Sequence, residues 1–198
     1  VKIFKKEGIF MFKKICILII LFCLYSLSNI YAVECPSMGE PIPDIILSVP
    51  ENLSEKNYLG IKEKTSFKIS RINADVVILE IFSMYCPYCQ KEAPLVNELY
   101  DIINKNQDIK DKIKIIGIGA GNTPFEVNVF KNQYNILFPL FSDESFSIHK
   151  SVGEVRTPYF FVYKINTDGS TKIIYSKVGS IRDPGQFLDF IIKESGIK

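Results

Sequence analysis

The chain has no tryptophan and a single histidine, His149. One imidazole makes a multi-histidine metal centre unexpected. Five cysteines in 198 residues are too few, and odd in number, for a disulfide scaffold. Charge of one sign is missing too: 24 Lys and Arg stand against 22 Asp and Glu, a formal net charge of +2. That leaves no basic footprint for nucleic acid and no acidic tail. The apolar run Ile15 to Tyr25 spans 11 residues, well short of the roughly 20 that a membrane-crossing helix needs. Repeats and low-complexity tracts are absent as well. What remains is 47% hydrophobic and 23% charged, enough for one globular domain with a substantial core.

The short apolar run follows Lys13 and Lys14 and leads to a segment closing on Ala32. A basic start, an apolar centre and a small terminal residue describe a secretory signal peptide over residues 11–32, cleaved after Ala32. Residues 1–10 read as a translated leader, with Met11 as the start. The alternative for 11–32 is an uncleaved membrane anchor. Glu34 argues against a lipid on Cys35. The expected location is extracytoplasmic or periplasmic. Residues 1–32 hold five lysines and one glutamate, so the rest carries 19 basic and 21 acidic residues, a net charge of −2. It keeps three cysteines, Cys35, Cys86 and Cys89.

Residues 33–66 read as an N-terminal extension, an extended lead-in with a strand or two, and 67–198 as the main domain. Val76 to Phe82, apolar but for Glu80, predicts a buried central strand. Helical spacing of Leu95, Val96, Leu99, Ile102 and Ile103 predicts a helix to about Asn106. Lys112 to Ile118 predicts a second buried strand. Thr123 to Tyr134 predicts a helix with Pro124 in its first turn, Phe138 to Phe141 a short strand, and Asp143 to Val152 a short helix. Tyr159 to Ile165 and Lys172 to Val178 predict a hairpin about Asp168-Gly169, and Pro184 to Glu194 a closing helix. The order implies an α/β fold, a mixed sheet with helices on both faces. Phe141, Phe160, Phe161 and Tyr163 are expected in the core.

The chemistry lies in Cys86-Pro87-Tyr88-Cys89. Cys86 is expected at a helix N-terminus beyond a buried strand, where backbone N–H groups and the helix dipole favour a thiolate. Such a thiolate attacks disulfides. Cys89, one turn on, can attack the resulting mixed disulfide. Pro87 fixes φ at the first helical position and Tyr88 flanks the sulfurs. A zinc site would need two more ligands, and only Cys35 and His149 remain, without motif spacing. A purely structural disulfide is the other alternative. Cys35 reads as a flexible-tail thiol, a regulatory partner or an intermolecular link, and His149 as a surface or capping side chain.

These residues resemble the thioredoxin superfamily, and specifically the TlpA/ResA group of exported thiol–disulfide oxidoreductases. Gly39, Pro43, Asp44 and Leu47 resemble that group's lead-in. Cys86, Cys89 and Pro94 match its C-x-x-C and helix-kinking proline. Lys114 to Val129 is similar to its strand–helix insertion, Phe138-Pro139 and Asp143 to its F-P-x-x-x-D segment, and Thr157-Pro158 and Gly179 to its later turns. The resemblance implies a thioredoxin-like fold with an N-terminal strand extension and a strand–helix insertion. It implies a cis Pro158 facing the cysteines, with Thr157 offering its backbone to a substrate strand, and Glu80 as a buried carboxylate that accepts the Cys89 proton. The competing expectations are a trans proline at a strand edge and a Glu80 that reaches solvent.

The resemblance further implies no cofactor beyond a redox-active Cys86–Cys89 disulfide, protein thiol or disulfide substrates and a membrane redox partner. The expected function is a thiol–disulfide oxidoreductase working as a reductant. An oxidant of the DsbA type, a thiol peroxidase and a non-enzymatic secreted domain are the alternatives. Tyr85 replaces the tryptophan that often precedes the first cysteine. Tyr159 replaces the glutamate typical of the cytochrome-maturation branch, which counts against an apocytochrome substrate. Pro87-Tyr88 is the glutaredoxin dipeptide, and points to a couple less reducing than thioredoxin's roughly −270 mV.

Overall fold

The computed structural model describes Ile17 and residues 34–197. The chain divides into two compact units, residues 1–32 and 33–198. Apart from Ile17, the expected leader, signal peptide and cleavage point lie outside the described residues. Among the described residues no helix is long and apolar enough to cross a membrane.

The second unit is built on a five-stranded mixed sheet: β3 (Val76–Phe82), β4 (Ile113–Ala120), β5 (Leu140–Asp143), β6 (Tyr159–Ile165) and β7 (Thr171–Val178). A separate two-stranded sheet is formed by β1 (Ile46–Ser48) and β2 (Ser66–Lys68). The five strands lie in the order β5-β4-β3-β6-β7. β3, β4 and β5 are parallel, while β6 and β7 run antiparallel. The helices are α1 (Leu53–Leu59), α2 (Pro87–Lys105), α3 (Pro124–Gln133), α4 (Ser147–Ser151) and α5 (Pro184–Ser195). This is the thioredoxin-like arrangement the sequence implies.

All seven residues of β3 are buried because strands pair on both sides of it and both of its faces are covered. Alternation along the strand divides the core in two. Val76, Ile78 and Phe82 pack with Val96, Leu99 and Ile103 of α2 and with Phe187, Leu188 and Ile191 of α5. Val77, Leu79 and Ile81 pack on the other face with Leu47, Leu59, Phe67 and Val152. Phe141, Phe160, Phe161 and Tyr163 are all in the core.

Several elements differ from expectation. The stretch 33–66 contains a helix, α1, capped by the Asn52 side chain, which accepts from the Ser54 N–H at 2.9 Å, and ended by Gly60 in the left-handed region. Only Leu59 of α1 is buried, so hydrophobic periodicity is too weak to announce it. Nor is 66/67 a domain boundary: Leu47 pairs with Phe67 across it, and Ile42, Ile45 and Leu47 share the core with β3. β4 continues to Ala120, and the turn begins at Gly121 (φ 66). The strand of the expected insertion is therefore an inner strand of the sheet, flanked by β3 and β5.

β5 begins at Leu140 rather than Phe138, because Pro139 has no N–H and joins the ladder only as an acceptor, from Gly117 at 3.0 Å. α4 is shorter than expected: Asp143 ends β5, and its carboxylate accepts the N–H groups of Ile148 and His149. The N-terminal strap exchanges Gly39 N–H to Ile173 O and Ile173 N–H to Glu40 O, both at 2.8 Å. It thereby covers part of the β7 edge, which would otherwise offer unpaired backbone.

Candidate functional site

β3 delivers the chain to Ser83, and a three-residue loop carries it to the head of α2. That loop is pinned at each step. The Cys86 N–H donates to Ser83 O at 3.0 Å, the Met84 N–H to Asn122 Oδ1 at 2.9 Å, and Gln90 Nε2 to Met84 O at 2.8 Å. Cys86 is the N-cap of α2 and Pro87 opens the first turn, where a missing N–H costs no helix bond.

Cys86 is half-buried, Cys89 is buried, and both are free thiols. The Cys86 thiol donates to the Thr157 carbonyl oxygen at 3.3 Å. The Thr157–Pro158 peptide bond is cis, and the Gly179 N–H donates to Pro158 O at 2.9 Å, holding this turn against the end of β7.

The two thiols are electrostatically unlike. Burial alone would push Cys86 up, but hydrogen bonds from the Thr157 side chain, from Cys89 and from the Tyr88 backbone outweigh it and hold it below the usual thiol value. Cys89 is pushed far up by burial and then by the charge of Glu80. Glu80 is 4% exposed and does not reach solvent. It sits in β3 between Gly117 of β4 and Phe160 of β6. Burial first, then the charges of Glu92 and Cys86, raise its carboxyl to about 8. A half-buried thiol held below the usual thiol value, a buried thiol pushed above it, and a carboxyl raised by burial beside the second can support stepwise disulfide exchange.

Residues 38–182 match the AhpC/TSA family. The chain belongs to that family. ResA, a thiol-disulfide oxidoreductase of Bacillus thuringiensis, is 34% identical to this AhpC/TSA chain over 94 residues, covering 47% of the chain and 50% of ResA. The chain thus spans about half the length of that relative. ResA of Geobacillus thermodenitrificans is 23% identical over 155 residues, 78% of each protein. Among solved structures, the thioredoxin domain of a thiol-disulfide oxidoreductase from Bacteroides vulgatus superposes with a TM-score of 0.58 at 13% identity, covering 79% of this chain and 99% of that one. StoA from Bacillus subtilis gives 0.54 at 19% identity, covering 76% and 99%. These likenesses establish the fold.

Of the residues singled out in this AhpC/TSA chain, Cys86, Pro87, Tyr88, Cys89, Glu80, Thr157 and Pro158 gather at the junction of β3, α2 and the turn before β6. Pro87 and Tyr88 are exposed there. Cys35 and His149 do not join them through any described bond. Cys35 is no loose-tail thiol: it is half-buried, with Sγ 3.2 Å from Tyr159 Oη, while Ser176 Oγ donates to Pro36 O at 2.8 Å. His149 Nε2 lies 2.8 Å from Val155 O, a local tie. No cluster of three or more His, Cys, Asp or Glu residues able to hold a metal ion occurs among the described residues.

Glu92 is the residue sequence reasoning missed. It is 3% exposed, on the inward stripe of α2 with Cys89, Ala93 and Val96. Its carboxylate accepts the Ile181 N–H at 2.7 Å. The signal was available: a glutamate three residues after Cys89 falls on the apolar face of the helix.

Proposed function

We propose that the protein is a thiol–disulfide oxidoreductase that reduces disulfides in exported proteins through Cys86 and Cys89. The observation that carries this reading is the placement of a half-buried Cys86 and a buried Cys89 at the head of α2, with the Cys86 thiol 3.3 Å from the Thr157 carbonyl oxygen at the Thr157–Pro158 turn. In the first step the Cys86 thiolate attacks one sulfur of a substrate disulfide, forming a mixed disulfide and releasing the other substrate sulfur as a thiolate. Cys89 then loses its proton to an ionised Glu80 and attacks Cys86 Sγ. This forms the Cys86–Cys89 disulfide and frees the second substrate sulfur, which takes up a proton. Two electrons pass from the dithiol to the substrate.

Return to the dithiol requires an external dithiol donor, and a membrane redox partner on the extracytoplasmic side fits the expected targeting segment. Thr157 supplies backbone for edge pairing with the substrate strand, and Pro87 and Tyr88 flank the reacting sulfur. No resident cofactor enters these steps. The names and partial coverage of the ResA relatives support this class of chemistry.

The test is a trap. A Cys89→Ser protein in a Cys35→Ser background should accumulate mixed disulfides through Cys86 when expressed with its signal segment, and dithiothreitol should release them. Adding Cys86→Ser should abolish them. Absence of any trapped protein, with Cys86 inert to disulfides in vitro, would sink the reading in favour of a structural pair.

A further inference from the structure

Exposed aromatic and exposed basic side chains both stand beside the residues that surround Cys86. Tyr85 is 65%, Tyr88 71% and Phe125 75% exposed. Tyr85 flanks Cys86 directly. Its hydroxyl donates to the Glu126 carboxylate, so Phe125, the neighbour of Glu126 in the first turn of α3, belongs to the same rim. Aromatic side chains left this open forfeit the burial that the rest of the core obtains, and contiguous exposed apolar surface on a soluble domain marks an interaction site.

On the other side, Arg156 immediately precedes Thr157, whose carbonyl meets Cys86. Arg182 follows Ile181, whose N–H is bound by Glu92. Both arginines are exposed, and neither forms an ion pair among the described residues. Lys91, two residues past Cys89, is exposed as well. The neighbouring acids are largely occupied. Glu126 accepts from the Thr123 N–H and from Tyr85, and Asp183 accepts the Gln186 N–H as the cap of α5. Glu154, two residues before Arg156, is exposed as well. Aromatics and arginine are the side chains enriched where proteins bind one another, and lysine and acids are depleted there.

We infer that this surface selects extended substrate segments in which the reacting cysteine has an apolar, preferably aromatic, residue on one side and an acidic residue on the other. The apolar neighbour lies on Tyr85, Tyr88 and Phe125. The acidic neighbour meets Arg156 and Arg182. This selection rests on the exchange chemistry proposed above and extends it to the substrate flanks. It uses α3, which joins β4 to β5, as part of the recognition surface, not only the turn at Pro158.

The probes are synthetic peptides whose single cysteine carries a 2-nitro-5-thiobenzoate leaving group. Attack by the Cys86 thiolate on the peptide sulfur forms the mixed disulfide and expels the coloured thiolate, so its release reports the docking step. One pair of peptides carries Phe and Asp about the cysteine in both orders, and a second pair carries Ser and Lys. The reduced full chain is used, with a Cys86→Ser protein as the background, and 5,5′-dithiobis(2-nitrobenzoate) reports exchange without docking.

The expected result is that one Phe/Asp peptide reacts at least about tenfold faster than its Ser/Lys counterpart, with the advantage shrinking as salt screens the charges. Phe125→Ser should cut that ratio at least about threefold, and Arg182→Glu should cut it further. Both side chains are exposed, so the variants test recognition without opening the core. Equal rates for all peptides, with brisk release from the small disulfide, would overturn the selection and leave the exchange reading intact. No Cys86-dependent release from the small disulfide would overturn both.

Discussion

The Glu92 carboxylate accepts the Ile181 N–H at 2.7 Å, joining the helix that carries both site cysteines to the loop that leads into α5. Both partners are buried, and a buried donor stripped of its acceptor costs about 1–3 kcal/mol. Glu92→Ala should therefore lower stability by that amount, read as a shift in denaturant midpoint at constant slope. Glu92→Gln keeps an acceptor and should lose less. Both variants remove a charge that helps raise Glu80, so the Glu80 carboxyl should titrate below about 8. Carbon-detected NMR of labelled glutamate checks that shift, and an unmoved Glu80 would refute the coupling.

Glu80→Gln should make stability less dependent on pH. Folded Glu80 keeps its proton up to about 8, against an ordinary value of 4.5. Between these values the unfolded chain binds fewer protons at this group than the folded one. Its contribution to stability is therefore full below about 4.5 and is lost as pH rises toward 8. The stability of the variant relative to the parent should rise across that window, reaching on the order of a few kcal/mol at its upper end. The same variant should flatten the pH dependence of the resolving step. On the proposed mechanism, that step in the parent should accelerate toward pH 8 as Glu80 becomes able to accept the Cys89 proton. Urea melts at several pH values and single-turnover kinetics measure the two effects.

Alkylation should separate the two site thiols. In a Cys35→Ser background at mildly acidic pH, iodoacetamide should modify Cys86 and leave Cys89 untouched until the protein unfolds. The half-buried sulfur is the one held below the usual thiol value, and the buried one is pushed up. Peptide mass mapping after a timed pulse identifies the site. Preferential labelling of Cys89 would contradict the assignment of roles.

Gly121→Ala should destabilise the turn after β4 more than Gly169→Ala destabilises the β6–β7 hairpin. Both glycines have left-handed φ, 66 and 81, which costs an L-residue roughly 1–2 kcal/mol. A Cβ at Gly169 meets nothing within 4 Å, whereas one at Gly121 would lie 2.1 Å from the Phe146 ring. The excess loss in melting temperature reports that clash. Equal losses would mean that Phe146 swings aside freely.

Much of this architecture is legible in the amino-acid order, and each exception has its own physical reason. β3 declares itself through an apolar, β-branched run, α2 through its inward stripe, and the hairpin through Asp168-Gly169, because each is dictated by contacts between near neighbours or by one turn's dihedral angles. α1 is hidden because its single buried residue, Leu59, supplies no periodicity. The start of β5 is displaced because Pro139 cannot donate to the ladder, and the position of Glu92 on the apolar face of α2 signals burial but not the Ile181 N–H it accepts.

For the site, the sequence by itself determined that two cysteines one helical turn apart follow a buried strand, since spacing and capping chemistry are local. Only the tertiary structure decided what surrounds them. The Thr157 carbonyl that meets Cys86 lies 71 residues away in the chain, and Ile181 lies 89 residues from Glu92. The difference between the two thiols depends on burial, on Thr157 beside Cys86 and on Glu80 beside Cys89. Those are properties of the packed sheet and helices, and no local pattern of residue types encodes them.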